Sequence, residues 1–470
     1  MNLVAQAADQ QLKTTDKQFL GHPRGLAYLG FTEAWERFSF YGMQTLLVLY
    51  MSKQLLLPGH VEHILGFGGA RSALQFAYGH PLSVIALGSA IYGVYSGSVW
   101  ITPILGGLIA DRWLGRTRTI TIGAVLMAIG HFLMAFEAPF LLALACLLIG
   151  VGCFKGNLAT QVGALYPTAD PRRADAYQIY YIFINAGVIV SPLVAGTLGE
   201  LYGWHYGFGI AGVGMLIALV IYRSGRRWLP PDAPLSRLGS TSGAPRARLN
   251  ASERLATVAL LLLLPALALS AVGNQQIFNA YLLWVPDHVD MSFFGRVMPT
   301  SWLITVDAVL SLSALGGSLL FWRLWARRFQ EPTEVTKIAI GMIISMTGLA
   351  MLVVGGSLSA TGQRISLFWP LAFDTLNSIG YANVFPIGLA LYARAAPKVL
   401  VATMIGIYYG HLFVASNLAG WLGGLVERLP ATQFWLLHVA IEATGILLFV
   451  AVGRMFLRAL TPLEANGAAT

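Results

Sequence analysis

The stretch FTEAWERFSFYGMQTLLVLYM, residues 31–51, decides how the chain is read. It is apolar and long enough to help cross a bilayer, yet Glu33, Glu36 and Arg37 fall within little more than one helical turn of it. A charge at membrane depth costs at least about 2.5 kcal/mol on insertion scales, so three together need an offsetting interaction or a water-filled cavity. They are the leading functional candidates.

Around this stretch the chain is 470 residues long, 56% hydrophobic and only 11% charged. That balance excludes a soluble globular protein and places the chain among polytopic membrane proteins. Runs of about twenty apolar residues mark twelve spans, near 24–52, 82–110, 116–136, 139–165, 174–199, 205–224, 255–286, 299–324, 336–358, 366–394, 398–426 and 432–458. Residues 1–20 are polar and mixed in charge, so no cleavable signal peptide is expected before the first span. With the N-terminus inside, five of the 30 Lys and Arg (Lys53, Arg71, Arg296, Arg364, Arg428) fall outside and two (Arg37, Lys155) fall deep within spans, away from their cytoplasmic ends. The rest are cytoplasmic, and the positive-inside rule puts both termini there. The net charge of +9 is explained by this topology, and no nucleic-acid partner is expected.

Residues 223–254, RSGRRWLPPDAPLSRLGSTSGAPRARLNASER, are rich in Pro, Ser, Gly and Arg and read as a cytoplasmic linker. The expected architecture is an all-α integral membrane protein of twelve transmembrane helices in two six-helix bundles, 24–224 and 255–458. They are joined by a linker at 225–254 and flanked by cytoplasmic tails 1–23 and 459–470. Equal halves of this kind are the layout of transporters that rock about a site near the midplane. Cys146 and Cys153 lie in one apolar span and read as small buried hydrophobes. No H-E-x-x-H set, nucleophile–base pair or phosphate-cradling loop occurs, so neither an enzyme, a metal site nor an ATP-driven pump is expected.

Helical spacing brings Glu33 and Arg37 together at i and i+4, with Glu36 beside Arg37. Span one runs outward and span four inward, so counting from the cytoplasmic ends puts Lys155 at about the depth of the carboxylates. Two acids and two bases then form a neutral cluster. Protonating one Glu releases Lys155 or Arg37 for an anionic substrate group, which couples proton entry to binding. A buried ion-pair network that only fixes helix packing is the alternative, but desolvation offsets much of the attraction in such pairs.

Several motifs carry a resemblance to known proteins. Residues 106–118, GGLIADRWLGRTR, look like the loop signature of the major facilitator superfamily, with Asp111 and the Arg residues placed to cap helix ends. The run Glu33-Ala34-Trp35-Glu36-Arg37-Phe38-Ser39-Phe40-Tyr41 resembles the E-x-x-E-R-F-x-Y-Y motif of the proton-dependent oligopeptide transporter (POT) family, departing only at Phe40. Phe154-Lys155-Gly156-Asn157 is similar to that family's F-K-P-N, residues 180–185 (YYIFIN) to its F-Y-x-x-I-N, and Ser416-Asn417-Leu418-Ala419-Gly420 to a G-N-x-L-A-G segment. The resemblance covers about residues 25–425 and is strongest in the N-terminal half.

The resemblance implies a major facilitator-type fold. It also implies a proton-coupled symporter that imports di- and tripeptides by alternating access across a bacterial cytoplasmic (inner) membrane. The implied partners are small peptides, protons and the lipid bilayer; no cofactor is expected beyond the coupling proton, and the chain is expected to act as a monomer. Glu33, Glu36, Arg37 and Lys155 are the implied proton-coupling unit. Tyr41, Tyr181 and Asn185 are the expected polar lining on the N-terminal side, Tyr for its apolar ring and single hydroxyl and Asn for its ability both to donate and to accept.

The chain departs from the family at several positions. Gln44 replaces a basic residue, Trp100 stands for the Tyr of Y-L-T-P, and Gly93 occupies the position of the animal members' His. Gln275 aligns with an acid of span seven, Asp307 with the Asn of Asn-Pro in span eight, and Tyr381 with the Glu that would hold a peptide's ammonium group. Tyr408 stands for the Trp of span eleven. With Arg37 and Lys155 these positions, Gln44, Trp100, Gln275, Tyr381 and Tyr408, are expected to line the substrate site. Two further acids remain in the C-terminal half, Asp307 and Asp374, each about a third of a span from the outer surface. Either can replace the missing Gln275 acid as a proton site or the missing Tyr381 acid as an ammonium partner. Loss of the Tyr381 acid keeps a second cargo open, another small anion or metabolite; a sensor built on a transporter fold is the remaining alternative.

Overall fold

The computed structural model describes residues 18–167, 170–230, 249–293 and 295–456, together with Leu460. Of the expected linker and tails, residues 1–17, 231–248, 459 and 461–470 lie outside the described residues.

The apolar runs fold into helices because in lipid every backbone polar group must be satisfied within its own segment. The N-terminal half contains α1 (Arg24–Tyr50), α2 (Phe67–Tyr78), α3 (Val84–Ile109), α4 (Arg116–Leu133), α5 (Phe140–Ala164), α6 (Arg172–Ser191) and α7 (Trp204–Gly225). The C-terminal half contains α8 (Ala251–Gln275), α9 (Ala280–His288), α10 (Trp302–Ala326), α11 (Glu334–Ser359), α12 (Phe368–Ala395), α13 (Val401–Gly423) and α14 (Ala431–Met455). All but α2 and α9 are long helices, and these twelve occupy the twelve expected spans. Among the described residues nine helices are long and apolar enough to cross a membrane by composition alone. Helices α1, α4 and α12 are not among the nine; α1 and α12 carry the buried polar residues that matter below.

Local signals set the helix ends. Asn250 and Glu253 form a reciprocal capping box at the start of α8, with Glu253 N donating to Asn250 Oδ1 at 2.8 Å and Asn250 N to Glu253 Oε2 at 2.9 Å. Gly115, at φ 77°, makes the turn into α4 that a β-carbon would disfavour. Span seven, read as one run over 255–286, is broken between α8 and α9 by a short 3₁₀ turn, Gln276–Phe278. The break is held by side chains: Gln276 Nε2 and Asn279 Nδ2 both donate to the Ala419 carbonyl at 3.1 Å.

The chain divides into two compact units, one drawn from Met1–Ser72 and Ile101–Thr241, the other from Ala73–Trp100 and Ser242–Thr470. In the first, α1 packs between α6 and α7, and α4 between α5 and α7. A β-carbon on Gly106 of α3 would lie 1.9 Å from the Gly152 carbonyl oxygen of α5, so backbone meets backbone there. Asn157 secures the same crossing by donating through Nδ2 to the Gly106 carbonyl at 3.2 Å. Small residues permit such approaches where no hydrophobic force between helices exists in lipid. In the second unit, a β-carbon on Gly93 would lie 2.7 Å from Gly420 Cα, which leaves no room for a side chain at that position.

These contacts predict that Gly106→Ala lowers the melting temperature in detergent, because the added methyl must part α3 from α5. The neighbouring Gly107, with no atom within 4 Å of a β-carbon, should tolerate Gly107→Ala with little change. Equal melting temperatures for the two variants would contradict the close crossing.

Candidate functional site

The charged turn of α1 is the most buried ionic group of the first unit. Glu33, Glu36 and Arg37 are 1%, 0% and 5% exposed. Arg37 Nε donates to Glu33 Oε1 at 2.7 Å, and the same nitrogen lies 3.1 Å from Glu36 Oε2. The guanidinium therefore sits between both carboxylates, the geometry its planar fork favours. Lys155 of α5 interacts electrostatically with Glu36, Glu33 and Arg37. Depth explains why: Glu33 and Lys155 each lie nine residues, about 14 Å at 1.5 Å per residue, from the same-side ends of α1 and α5.

A fifth member is Tyr180 of α6, whose hydroxyl donates to Glu33 Oε2 at 2.6 Å. Close packing of α6 on α1 puts it there. A β-carbon on Gly187, two turns further along α6, would lie 2.2 Å from the Ala34 carbonyl oxygen, and Ser191 donates its hydroxyl to the Phe38 carbonyl. Its neighbour Tyr181 is 43% exposed, with Asn185 one turn on, donating through Nδ2 to the Tyr181 carbonyl at 2.8 Å. Two adjacent Tyr residues on a helix point about 100° apart, so only one can reach the carboxylate. Tyr180 reaches it and Tyr181 presents its ring on the accessible face. The signal for Tyr180 was present in the same motif, but helical phase relative to α1 is not readable from one sequence.

Tyr41, one turn beyond Arg37, is half-buried and interacts electrostatically with it. Gln44 is buried on the same helix. Asp111 and Arg116 lie at the end of α3 and the start of α4, 3.7 Å apart and partly exposed.

The remaining sequence candidates belong to the second unit. Trp100 stacks on Tyr409 with centroids 6.1 Å apart and planes at 13°. Tyr381 stacks on Phe385 at 5.8 Å and 10°, and Phe385 meets Tyr409 edge-on at 6.0 Å. Tyr408 is fully buried and donates its hydroxyl to the Phe385 carbonyl at 2.7 Å. Gln275 accepts from Ser416 Oγ at 3.1 Å. The structure thus gathers Trp100, Tyr381, Phe385 and Tyr409 into one aromatic group, of which Phe385 and Tyr409 carried no motif. Asp307 and Asp374 come together as well: Ser378, one turn beyond Asp374, has its hydroxyl 3.5 Å from Asp307 Oδ1.

The first unit's cluster can do one thing that an apolar core cannot. With two acids and two bases it is near neutral, so adding one proton leaves a cation without its full complement of anions. In a site of low dielectric that surplus is a strong attractor for a carboxylate.

A model of the POT family matches residues 117–238. A peptide transporter of Yersinia enterocolitica is 27% identical over an alignment covering 93% of this chain and 96% of the relative. A di-/tripeptide transporter of Lactococcus lactis is 27% identical over 85% of this chain and 89% of the relative. Among solved structures, a peptide transporter in complex with sulfate superposes with a TM-score of 0.79 at 23% identity, covering 96% of this chain and 98% of that one. A POT family transporter in complex with 5-aminolevulinic acid gives 0.77 at 22% identity, covering 96% of this chain and all of the other.

The buried pairing predicts that Arg37→Ala is costly, since removing one partner of a buried pair leaves uncompensated charge worth about 3–5 kcal/mol. Arg394, paired with Glu334 at 3.0 Å near the surface, is the control, because exposed pairs contribute only about 0–1 kcal/mol. Arg37→Ala should lower the melting temperature far more than Arg394→Ala; the reverse order would mean that water already screens the α1 cluster.

Proposed function

We propose that this chain, which resembles POT family transporters along most of its length, is a proton-coupled symporter of di- and tripeptides, working by alternating access in a bacterial cytoplasmic membrane with both termini inside. The observation that carries the coupling is the buried set Glu33, Glu36, Arg37, Lys155 and Tyr180. In the unloaded state Arg37 is engaged by both carboxylates. A proton arriving at Glu33 or Glu36 cancels one of those charges, and Arg37 or Lys155 turns to the carboxylate of an incoming peptide. Binding and protonation then favour each other by linkage.

The bundles 24–224 and 255–458 are the bodies proposed to rock about this site. On this reading Tyr41, Gln44, Tyr181 and Asn185 are the substrate-contacting residues of the first unit, and Trp100, Gln275, Tyr381 and Tyr408 those of the second. Tyr181 and Asn185 offer one phenol and one amide to the backbone of a peptide of any side chain. Tyr381, ring-stacked on Phe385, brings no carboxylate for the ammonium group, so recognition rests mainly on the substrate carboxylate. The chain acts as a monomer and needs no ligand other than the peptide and its coupling proton.

Uptake of a labelled dipeptide by proteoliposomes under an inward proton gradient tests this reading. Glu33→Gln, Glu36→Gln and Lys155→Ala should each lose gradient-driven accumulation, while the two Gln variants, fixed in a protonated-like state, keep part of their counterflow exchange. Accumulation preserved in Lys155→Ala would overturn the cluster mechanism. A second arm tests the carboxylate: a dipeptide amidated at its C-terminus should compete poorly with the free acid. Equal competition would assign Arg37 to charge balance alone, and proton-driven uptake of a small anion without inhibition by peptides would replace the cargo while leaving the coupling unit in place.

A further inference from the structure

Tyr281, Asp307 and Asp374 stand at one depth in the C-terminal half. Asp307 is the sixth residue of α10 and Asp374 the seventh of α12, roughly 8 and 9 Å along helices that begin on the side the basic-residue distribution assigns to the exterior. Tyr281 lies in α9, about 10 Å before that helix ends on the same side.

The three side chains meet. Tyr281 donates its hydroxyl to Asp374 Oδ2 at 2.9 Å, and Ser378 brings Asp307 Oδ1 to 3.5 Å. The two carboxyls are close enough to act on each other electrostatically, and Tyr281 feels both. Asp374 is 0% exposed and its Oδ1 has no hydrogen-bond partner, whereas Asp307 is half-buried. One carboxyl is therefore sealed with an empty acceptor, and the other provides the way in.

The surroundings offer no counter-charge. From α9 the pair faces Tyr281, and from α10 Ser311, whose hydroxyl is 3.0 Å from that of Ser378. From α11, Ser345 bonds Asn377 at 3.0 Å, while Glu334 and Lys337 sit in the first turn of α11. From α14, His438 is bonded to Gln276 and to the Phe434 carbonyl, and the buried acid Glu442 lies against Ser345. Among the described residues no Lys, Arg or His pairs with either carboxyl.

We infer that Asp307 and Asp374 form one proton-binding pair of the C-terminal half, oriented by Tyr281, which takes up a proton from the outer side. The chemistry follows from the lack of a cation. Two adjacent carboxylates in a low-dielectric site are too costly to leave fully ionised, so the pair holds hydrogen ions, and Asp374 Oδ1 is the acceptor left open for one. Tyr281 keeps Oδ2 as a hydrogen-bond acceptor and so directs the proton to Oδ1. The proton moves from water to Asp307 and is shared with or passed to Asp374; no other bond is made or broken. With Gln275 unable to bind a proton, the pair gives the C-terminal half a site that can respond to the gradient.

The inference rests on the symport reading, and the test separates the two. Purified wild-type protein and the Asp307→Asn, Asp374→Asn and Tyr281→Phe variants are titrated with acid while the carboxyl C=O stretch is followed by infrared difference spectroscopy. The same proteins are assayed in proteoliposomes for gradient-driven uptake and for counterflow. The expected result is that each Asn variant loses a titrating carboxyl band and gradient-driven uptake while retaining counterflow, and that Tyr281→Phe shifts the pH at which uptake is half-maximal. Unchanged bands and uptake in both Asn variants would overturn the pair. So would a loss of binding confined to peptides with a free amino terminus, which assigns the acids to the substrate ammonium. Should an Asn variant fail to fold, Asp374→Glu replaces it, with a displaced band expected and an unshifted one contrary. If wild-type protein shows no gradient-driven uptake, the symport reading fails, and the infrared titration still judges the pair.

Discussion

The structure depends on a single expensive placement, the salt bridge of Arg37 with Glu33 and Glu36 in the middle of a transmembrane helix. Charges in such surroundings are retained only when they are paired, hydrated or used. Here the pairing is assembled from three helices: α1 supplies both acids and Arg37, α5 brings Lys155 to the same depth, and α6 lowers Tyr180 onto Glu33. Much of the first unit's packing serves that assembly. Gly187 lets α6 approach the backbone of α1, and Gly106 and Gly152 let α3 and α5 cross without side chains between them.

The second unit handles polarity differently. Its aromatic group, Trp100 with Tyr381, Phe385 and Tyr409, offers ring faces and few charges. Two of its acids lie in α10 and α12, where Tyr281 and Ser378 hold them. On the proposed reading, the two halves divide the work: the first binds the anionic end of the substrate and couples it to a proton, and the second presents rings to the substrate and keeps a separate pair of acids.

Much of this was legible from the sequence, for physical reasons that can be named. Helix positions follow from apolar length, and Glu33, Glu36 and Arg37 announce themselves by their cost. Lys155 could be placed by counting residues from the same membrane face. What escaped was phase and tertiary choice. Tyr180 and Tyr181 are neighbours in one motif, and only the rotation of α6 against α1 decides which reaches Glu33. Tyr408 and Tyr409 pose the same problem: the first is buried with its hydroxyl on the Phe385 carbonyl, and the second stacks on Trp100. The interruption of span seven at 276–278 was equally hidden, because Gln276 and Asn279 replace the lost helical bonds by reaching Ala419, some 140 residues away. Asp307 and Asp374 read as two separate acids until the 3.5 Å approach of Ser378 placed them side by side.

The central claim is that substrate binding and protonation share one buried charge cluster, and reciprocal linkage makes it measurable without transport. Purified protein in a weakly buffered detergent solution is mixed with dialanine, and the protons taken up are counted with a pH indicator. The account predicts net proton uptake on binding by the wild-type protein, and none by Glu33→Gln or Glu36→Gln at a dialanine concentration that saturates both. Saturable binding by the wild type with no proton uptake at any pH near neutrality would contradict it.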